Sequence, residues 1–132
     1  MNKLLLKLLM GWCLFVLTGQ ATADSLSCAK RGYDNGIYSK AAKLFKPLAR
    51  EGDPTAQYYL GLMYGAGQGV PQNYRLAYMW SSIVVANTRD AELHQNASSY
   101  LASIEEGMTK QQITQAQEAA TTCTLSKFKN CD

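Results

Sequence analysis

The sequence predicts an all-α protein built as a solenoid of about three antiparallel helix hairpins. The first observation is a repeat, because Tyr38, Ala41 and Leu44 are matched 36 residues later by Tyr74, Ala77 and Trp80. A period of that length is typical of stacked helical hairpins. The second observation is a set of helix start and stop signals: capping residues, prolines and glycines separate segments with helical periodicity. Stacked hairpins bury a continuous core between neighbouring repeats.

The first hairpin is predicted over about residues 25–50. A short helix over residues 25–33 is followed by a turn at Gly36 and by a second helix over residues 37–50. Apolar residues recur at helical spacing between Ala41 and Leu48, which predicts one buried face. The glycine permits the tight turn that brings the two helices together.

The second hairpin is predicted over about residues 54–86. Asp53 followed by Pro54 is typical of an N-cap with proline at the first helical position, where the missing N–H costs nothing. The third helix reaches about residue 64 and is ended by the glycine-rich turn 65–69. The fourth helix, over residues 73–85, has the widest apolar face and is expected to be the most buried.

The third hairpin is predicted over about residues 89–123, and a tail of residues 124–132 follows it. The fifth helix, over residues 89–105, has only a narrow apolar face. Thr109 with Gln112 three residues later predicts a capping box that starts the sixth helix. The polar outer residues of that helix suit the end of a stack, where no further repeat covers them.

The N-terminus predicts export. Lys3 and Lys7 precede an uncharged run over residues 8–17, after which small residues appear at Ala21 and Ala23. This is the layout of a secretory signal, and the run is well short of the ~20 residues of a membrane-spanning helix. We therefore expect a signal peptide over residues 1–23, cleaved after Ala23, and a mature domain over residues 24–132. The expected location is periplasmic or secreted, without stable membrane insertion after cleavage.

The charge balance argues against nucleic acid as a partner. Of the 13 Lys and Arg residues, Lys3 and Lys7 lie in the predicted signal, so 11 remain against 10 Asp and Glu. The mature net charge is therefore +1. Binding to phosphate backbones requires a concentrated basic stripe, and the sequence contains none.

Cysteine usage fits an oxidising compartment but leaves the pairing open. Cys13 lies in the predicted signal, and the mature chain keeps Cys28, Cys123 and Cys131. Short spacing favours a Cys123–Cys131 disulfide that clips the tail onto the last helix, although a bridge from Cys28 to either partner stays open. A leftover Cys28 is then buried and inert, or it links two copies. A structural homodimer joined through Cys28 is therefore an alternative.

The segment 53–77 combines small and aromatic residues in a specific pattern: Ala56, Gln57, Leu60, Gly61, Tyr64, Gly67, Gly69, Val70, Tyr74 and Ala77. This pattern resembles the Sel-1-like repeat, a relative of the tetratricopeptide repeat. Residues 38–52 look like the second helix of a preceding repeat. Beyond Trp80 the likeness fades, because Asn96 and Ala97 stand where a third repeat would present Leu and Gly. The likeness covers roughly residues 25–120.

The resemblance implies a right-handed stack of antiparallel helix pairs that acts as an adaptor for other proteins, in bacteria often in the periplasm. It implies no shared chemistry and no cofactor. In tetratricopeptide repeats the first helix of each pair lines the concave side. By that analogy, the residues expected to bind a protein or peptide partner are Thr55, Tyr58, Leu62, His94 and Ser98.

An enzyme of cell-wall or β-lactam chemistry is the alternative function. Some cysteine-rich relatives are associated with β-lactams, but they carry a cysteine pair in each repeat, which this chain lacks. His94 lies in a polar stretch and is expected to be solvated. Glu105 and Glu106 are adjacent, so on a helix they point about 100° apart and cannot face each other across a glycosidic bond. We expect no catalytic residues, no metal site and no enzyme activity.

Overall fold

The computed structural model describes residues 21–132, with side chains from residue 23 onward, and this part of the chain forms helices without strands. Residues 1–20 of the predicted signal lie outside the described residues, and Ala23 lies in the first turn of the first helix. None of the helices in residues 21–132 combines the length and the apolar character needed to cross a membrane. The helices are α1 (Ala21–Asp34), α2 (Tyr38–Arg50), α3 (Pro54–Ala66), α4 (Tyr74–Asn87), α5 (Ala91–Glu105) and α6 (Lys110–Leu125).

The helices begin at the residues that capping chemistry selects. The Asp53 carboxylate accepts a hydrogen bond from the backbone N–H of Ala56 at 2.8 Å, and Pro54 occupies the first helical position. Thr109 and Gln112 form the predicted capping box before α6. These side chains pair with N–H groups that the first helical turn leaves without an internal partner. Both predicted helix starts are confirmed.

Successive helices pack against each other to form a helical solenoid, as predicted. α1 packs on α2, α2 on α3, α3 on α4 and α4 on α5, while α3 also touches α5. Eight of the 14 residues of α4 are buried, which confirms that this helix lies at the centre of the core. α3 approaches α4 closely because Gly61 has no side chain: a Cβ there would lie 3.0 Å from Ser81 Oγ.

The turn between α3 and α4 is seated on the first hairpin. Gly69 adopts φ 73°, a left-handed conformation that favours glycine, and a Cβ at this position would overlap the backbone carbonyl of Tyr38. The glycine-rich turn therefore lies directly against the start of α2. Val70, the next residue, is buried in the core. This contact joins the two hairpins at the end opposite to the α2–α3 junction.

The last helix departs from a regular third hairpin. Within residues 21–132, α6 packs chiefly along α4 rather than along α5. The buried Tyr78 of α4 connects the three helices, because its hydroxyl donates to Glu105 Oε1 at 3.0 Å and accepts from Gln117 Nε2 at 3.2 Å. α5 has only two buried residues, Ala97 and Ile104. Its narrow apolar face packs against the second hairpin and leaves little apolar surface for α6. α6 therefore covers α4 and leaves the hairpin 89–123 splayed.

The tail is clipped onto the last helix by the predicted disulfide. Cys123 and Cys131 are bonded with an S–S distance of 1.96 Å, and both are buried. Lys127 and Phe128 adopt φ angles of 53° and 64°, which reverse the chain, and the backbone N–H of Phe128 donates to the Cys123 carbonyl at 2.8 Å. The favoured Cys123–Cys131 pairing is therefore present.

The reversed tail reaches the junction between α2 and α3. The Phe128 ring packs against Gly52. A Cβ added at Gly52 would lie 3.2 Å from the ring. Arg50 forms an exposed ion pair with Asp132 at 2.8 Å. The C-terminus is thus fastened to the first repeat as well as to α6.

The interpretation of Cys28 as the leftover thiol is wrong. Cys28 is itself disulfide-bonded, and no cysteine among the described residues is free. It is also only 8% exposed, so its sulfur is not presented at the surface to a second chain. The structure therefore gives no support to a homodimer that is joined through a free Cys28 thiol. Spacing alone could not show this, because connectivity is not written in a sequence.

Candidate functional site

Tyrosine side chains from four helices come together on one side of the helical stack. Tyr33 is the penultimate residue of α1, Tyr38 begins α2, Tyr58 and Tyr59 are neighbours in α3, and Tyr100 belongs to α5. All five are half-buried. We call these five residues the tyrosine cluster.

The rings of Tyr33, Tyr38, Tyr58 and Tyr59 pack edge to face. Tyr33 meets Tyr38 with 5.4 Å between ring centroids and Tyr59 with 5.0 Å. Tyr58 meets the edge of Tyr59 at 5.9 Å. Tyr59 also stacks on Phe45 at 5.0 Å, and Phe45 is fully buried. Edge-to-face pairs are favourable arrangements of aromatic rings, so these four rings form one packed surface that reaches the core at Phe45.

Tyr100 brings the third hairpin into the cluster by crossing two glycines of α3. Its hydroxyl donates a long hydrogen bond to the Gly61 carbonyl at 3.5 Å. A Cβ on Gly65 would overlap that same hydroxyl, so only glycine leaves room for the Tyr100 side chain. The missing side chain at Gly61 therefore lets α4 pack closely on α3, and the missing side chain at Gly65 leaves space for the Tyr100 ring.

Sequence reasoning missed Tyr100 as a site residue, although a signal for it exists. Tyr64 precedes Tyr100 by 36 residues, the same offset that relates Tyr38 to Tyr74. Following the tyrosine repeat into the faded third repeat would have singled out Tyr100. The sequence prediction instead selected the polar residues His94 and Ser98 on this helix, because its apolar face is narrow.

The hydroxyls of Tyr33, Tyr58, Tyr59 and Tyr100 stay protonated at neutral pH. Burial, which disfavours the phenolate, raises the pKa values of Tyr33, Tyr58 and Tyr59. Burial, reinforced by nearby Tyr33, Tyr74 and Tyr58, raises the pKa of Tyr100 to about 12. Electrostatic effects between these tyrosines add to the effect of burial. Each is a neutral group that can both donate and accept a hydrogen bond.

Four of the hydroxyls remain available to a ligand. Within residues 21–132, no protein group forms a hydrogen bond to the hydroxyl of Tyr33, Tyr38, Tyr58 or Tyr59. None of the buried polar side-chain atoms of this part of the chain lacks a partner, so these hydroxyls face solvent. The cluster therefore combines an apolar ring surface with accessible polar groups.

One negative charge adjoins the cluster. Asp34, the last residue of α1, is exposed, and its carboxylate contributes to the raised pKa values of Tyr33 and Tyr59 after burial. In the described part of the chain, no Lys or Arg forms an ion pair with Asp34. The ion pair seen there joins Arg50 to Asp132.

The residues predicted to bind a partner lie on two helices. Thr55, Tyr58 and Leu62 share one face of α3, and all three are half-buried. His94 is exposed and Ser98 half-buried, one turn apart on α5. The structure brings Tyr58 into the tyrosine cluster, whereas the side chain that carries α5 onto α3 is that of Tyr100. The partner-binding role of all five stays a prediction.

A second surface lies between α4 and α6. This groove has a volume of about 410 Å³, and Leu125 at its edge is 80% exposed. A smaller cavity of about 250 Å³ lies between the first turns of the same helices. The groove offers no ionisable side chain for acid–base chemistry: it is lined by Ser82, Ile83, Ala86, Gln117, Ala120, Thr121, Thr124 and Leu125.

Metal chemistry finds no support in the part of the chain that the structure describes. Residues 21–132 contain no group of three or more His, Cys, Asp or Glu side chains placed to hold a metal ion. His94 lies exposed on α5. Among the described residues, the features that stand out are thus surfaces suited to contact.

Comparison with known proteins identifies the repeats. The family model described as Sel1 repeat matches residues 25–53 and 54–82. The first match comprises α1 and α2, and the second comprises α3, its glycine-rich turn and the first part of α4. The tyrosine cluster takes four of its five residues from these two matches.

A similar curated protein is much longer than this chain. “Putative beta-lactamase HcpE” of Helicobacter pylori, strain J99, is 36% identical across 52% of this chain and 21% of its own length. The chain thus spans about a fifth of that relative. No solved structure matches the chain.

Proposed function

This chain is a Sel1-like repeat protein, and we propose that it is a protein-interaction adaptor of the bacterial cell envelope. Sel1 repeats are generally protein-interaction modules. In this proposal, an extended segment of a partner protein binds across the concave side of the short solenoid. The partner contacts α3 and α5 through the tyrosine cluster and its neighbours Thr55 and Leu62.

The tyrosine cluster is the observation that carries the proposal. Rigid aromatic side chains provide contact area at low conformational cost, and tyrosine hydroxyls add hydrogen bonds, so tyrosine is enriched at interface hot spots. Four cluster hydroxyls have no protein partner within residues 21–132. Edge-to-face packing holds the rings in place before a partner arrives, which reduces the entropy lost on binding.

Two features support an envelope location. The first 23 residues have the layout of a secretory signal. The Cys123–Cys131 disulfide holds the tail, and structural disulfides persist in oxidising compartments such as the periplasm. We therefore place the adaptor in the periplasm or outside the cell.

A β-lactam-directed enzyme is the second candidate, favoured by the name of the Helicobacter pylori relative. The similarity covers about a fifth of that protein, and Sel1 repeat proteins are generally non-enzymatic adaptors. The groove between α4 and α6 presents no ionisable side chain. Covalent labelling of the purified protein by a penicillin probe, competed by unlabelled penicillin, would favour this candidate.

The adaptor proposal is tested by capture from envelope extract with matched variants. We expect the double variant Tyr58→Ala/Leu62→Ala to lose the captured partner, because it removes the apolar anchor on α3. Leu125→Ala is the control, since it removes an 80% exposed leucine from the other surface and should leave capture unchanged. Melting curves verify that both variants fold. Equal capture by both would contradict the assignment to the cluster.

A further inference from the structure

Asp34 carries a negative charge in an electrostatically unfavourable position. It is the last residue of α1, where the helix dipole already places partial negative charge and disfavours a carboxylate. Its side chain is exposed, and it directly follows Tyr33, whose ring meets that of Tyr59 with 5.0 Å between the centroids. A cation bound at this point would relieve both effects.

The basic residues of the described chain do not supply that cation. Lys30 and Arg31 precede Asp34 by four and three residues on the same helix, and both are exposed. Neither approaches the Asp34 carboxylate within ion-pair distance, since the ion pair formed within residues 21–132 joins Arg50 to Asp132. Within this part of the chain the exposed Asp34 carboxylate therefore forms no ion pair and stays accessible to a cation from another molecule.

The cluster complements the remainder of a basic side chain. Its rings offer an apolar surface for the methylene groups, and aromatic rings attract cations through their electron-rich faces. The unpaired hydroxyl oxygens of Tyr33 and Tyr59 can accept hydrogen bonds from an ammonium or guanidinium group. An acidic or a purely apolar partner residue would satisfy only part of this arrangement.

We propose that Asp34 and the tyrosine cluster form a subsite for a Lys or Arg side chain of the partner segment. This inference rests on the proposed function and specifies the chemistry of the partner. The cationic head of the side chain pairs with the Asp34 carboxylate, and its methylene stem lies on the rings of Tyr33 and Tyr59. An adaptor with this subsite selects extended segments that carry a basic residue.

The test is a nuclear magnetic resonance titration of the purified protein, with its disulfides intact, using acetyl-arginine amide. Acetyl-citrulline amide is the matched probe, because citrulline has nearly the shape of arginine without its charge. We expect arginine to shift the ring signals of Tyr33 and Tyr59, and to bind about three- to fivefold more tightly than citrulline, as for an exposed ion pair. Equal affinities for the two probes would overturn the inference.

Variants assign the effect to one carboxylate. Asp34→Asn should abolish the preference for arginine over citrulline, while Glu118→Gln, which removes an exposed carboxylate from α6, should preserve it. A preference that survives Asp34→Asn would also overturn the inference. The titration is independent of the capture experiment: captured partner without an arginine preference refutes only the subsite, and the reverse result refutes only the adaptor function.

Discussion

At the scale of single residues, missing side chains determine how closely parts of the molecule approach. Gly61 admits α4, Gly65 admits the Tyr100 ring, and Gly69 admits the backbone of Tyr38. Gly61 and Gly65 lie in α3, and glycine is required at these positions only for steric reasons. At Gly69 the need is both steric and conformational, because its φ is 73°. These two causes can be separated by comparison with a second glycine.

Gly36 is that comparison. It adopts φ 74°, almost the same as Gly69, but a Cβ at Gly36 would meet no atom within 4 Å. We expect Gly36→Ala to lower the free energy of unfolding by about 1 kcal/mol, the cost of a left-handed residue with a side chain. Gly69→Ala should cost about 1–3 kcal/mol more, because the turn must also move away from Tyr38. Urea unfolding measures both, and equal losses would show that the turn is not seated on α2.

The raised pKa of Tyr100 predicts that the protein loses stability at alkaline pH. Its pKa in the folded protein is raised to about 12 from a usual value of 10.0. Between these pH values the unfolded chain releases the proton while the folded protein keeps it, so the folded state binds more protons and stability falls as pH rises. The stabilisation is complete below pH 10.0 and is lost as the pH approaches about 12.

Urea unfolding at a series of alkaline pH values checks this behaviour. Tyr100→Phe should show a shallower decrease of stability with pH than the unchanged protein. Tyr38→Phe is the control, since Tyr38 is not among the tyrosines that raise the pKa of Tyr100, and it should keep the steep decrease. A decrease that is identical in all three proteins would mean that Tyr100 is not the group responsible.

At the scale of elements, α6 and its tail close the C-terminal end of the stack. α6 lies along α4, and the disulfide with the reversed tail carries Phe128 to the α2–α3 junction at Gly52. The exposed ion pair between Arg50 and Asp132 adds little by itself, because solvent screens it. The covalent link should therefore dominate the stability of this end.

Replacing both cysteines tests that expectation. Cys123→Ser/Cys131→Ser should lower the free energy of unfolding by about 2 kcal/mol, the loop-closure value for a short disulfide loop. Arg50→Gln removes the ion pair and should change it by less than about 1 kcal/mol. Denaturant unfolding compares the two variants. A larger loss for Arg50→Gln would contradict the dominance of the disulfide.

The elements themselves could be predicted from the sequence because their signals are local. Asp53 with Pro54, and Thr109 with Gln112, act within one helical turn, so each helix start could be placed from neighbouring residues. The packing of α6 on α4 could not, because it depends on the Tyr78 hydroxyl meeting a glutamate and a glutamine 27 and 39 residues away. The bonded state of Cys28 could not be predicted either, because cysteine spacing does not fix connectivity.

At the scale of the whole molecule, two regular hairpins and one splayed hairpin build a surface that no single segment contains. The tyrosine cluster extends from Tyr33 in the first Sel1 match to Tyr100 beyond the second. Family resemblance directed attention to Tyr58 through the role of the first helix in each pair. The 36-residue offset from Tyr64 could have indicated Tyr100, but neither the offset nor the resemblance could show that its hydroxyl reaches Gly65.

Crosslinking in living cells is the most direct test of the central claim that the tyrosine cluster binds a protein partner. A photoreactive amino acid replaces Tyr58 in one strain and Glu118 of α6 in another, and mass spectrometry identifies the crosslinked proteins. We expect a defined envelope protein to be crosslinked from position 58 and to be absent from position 118. A crosslinking pattern that is the same at both positions, or that lacks a protein partner at position 58, would contradict it.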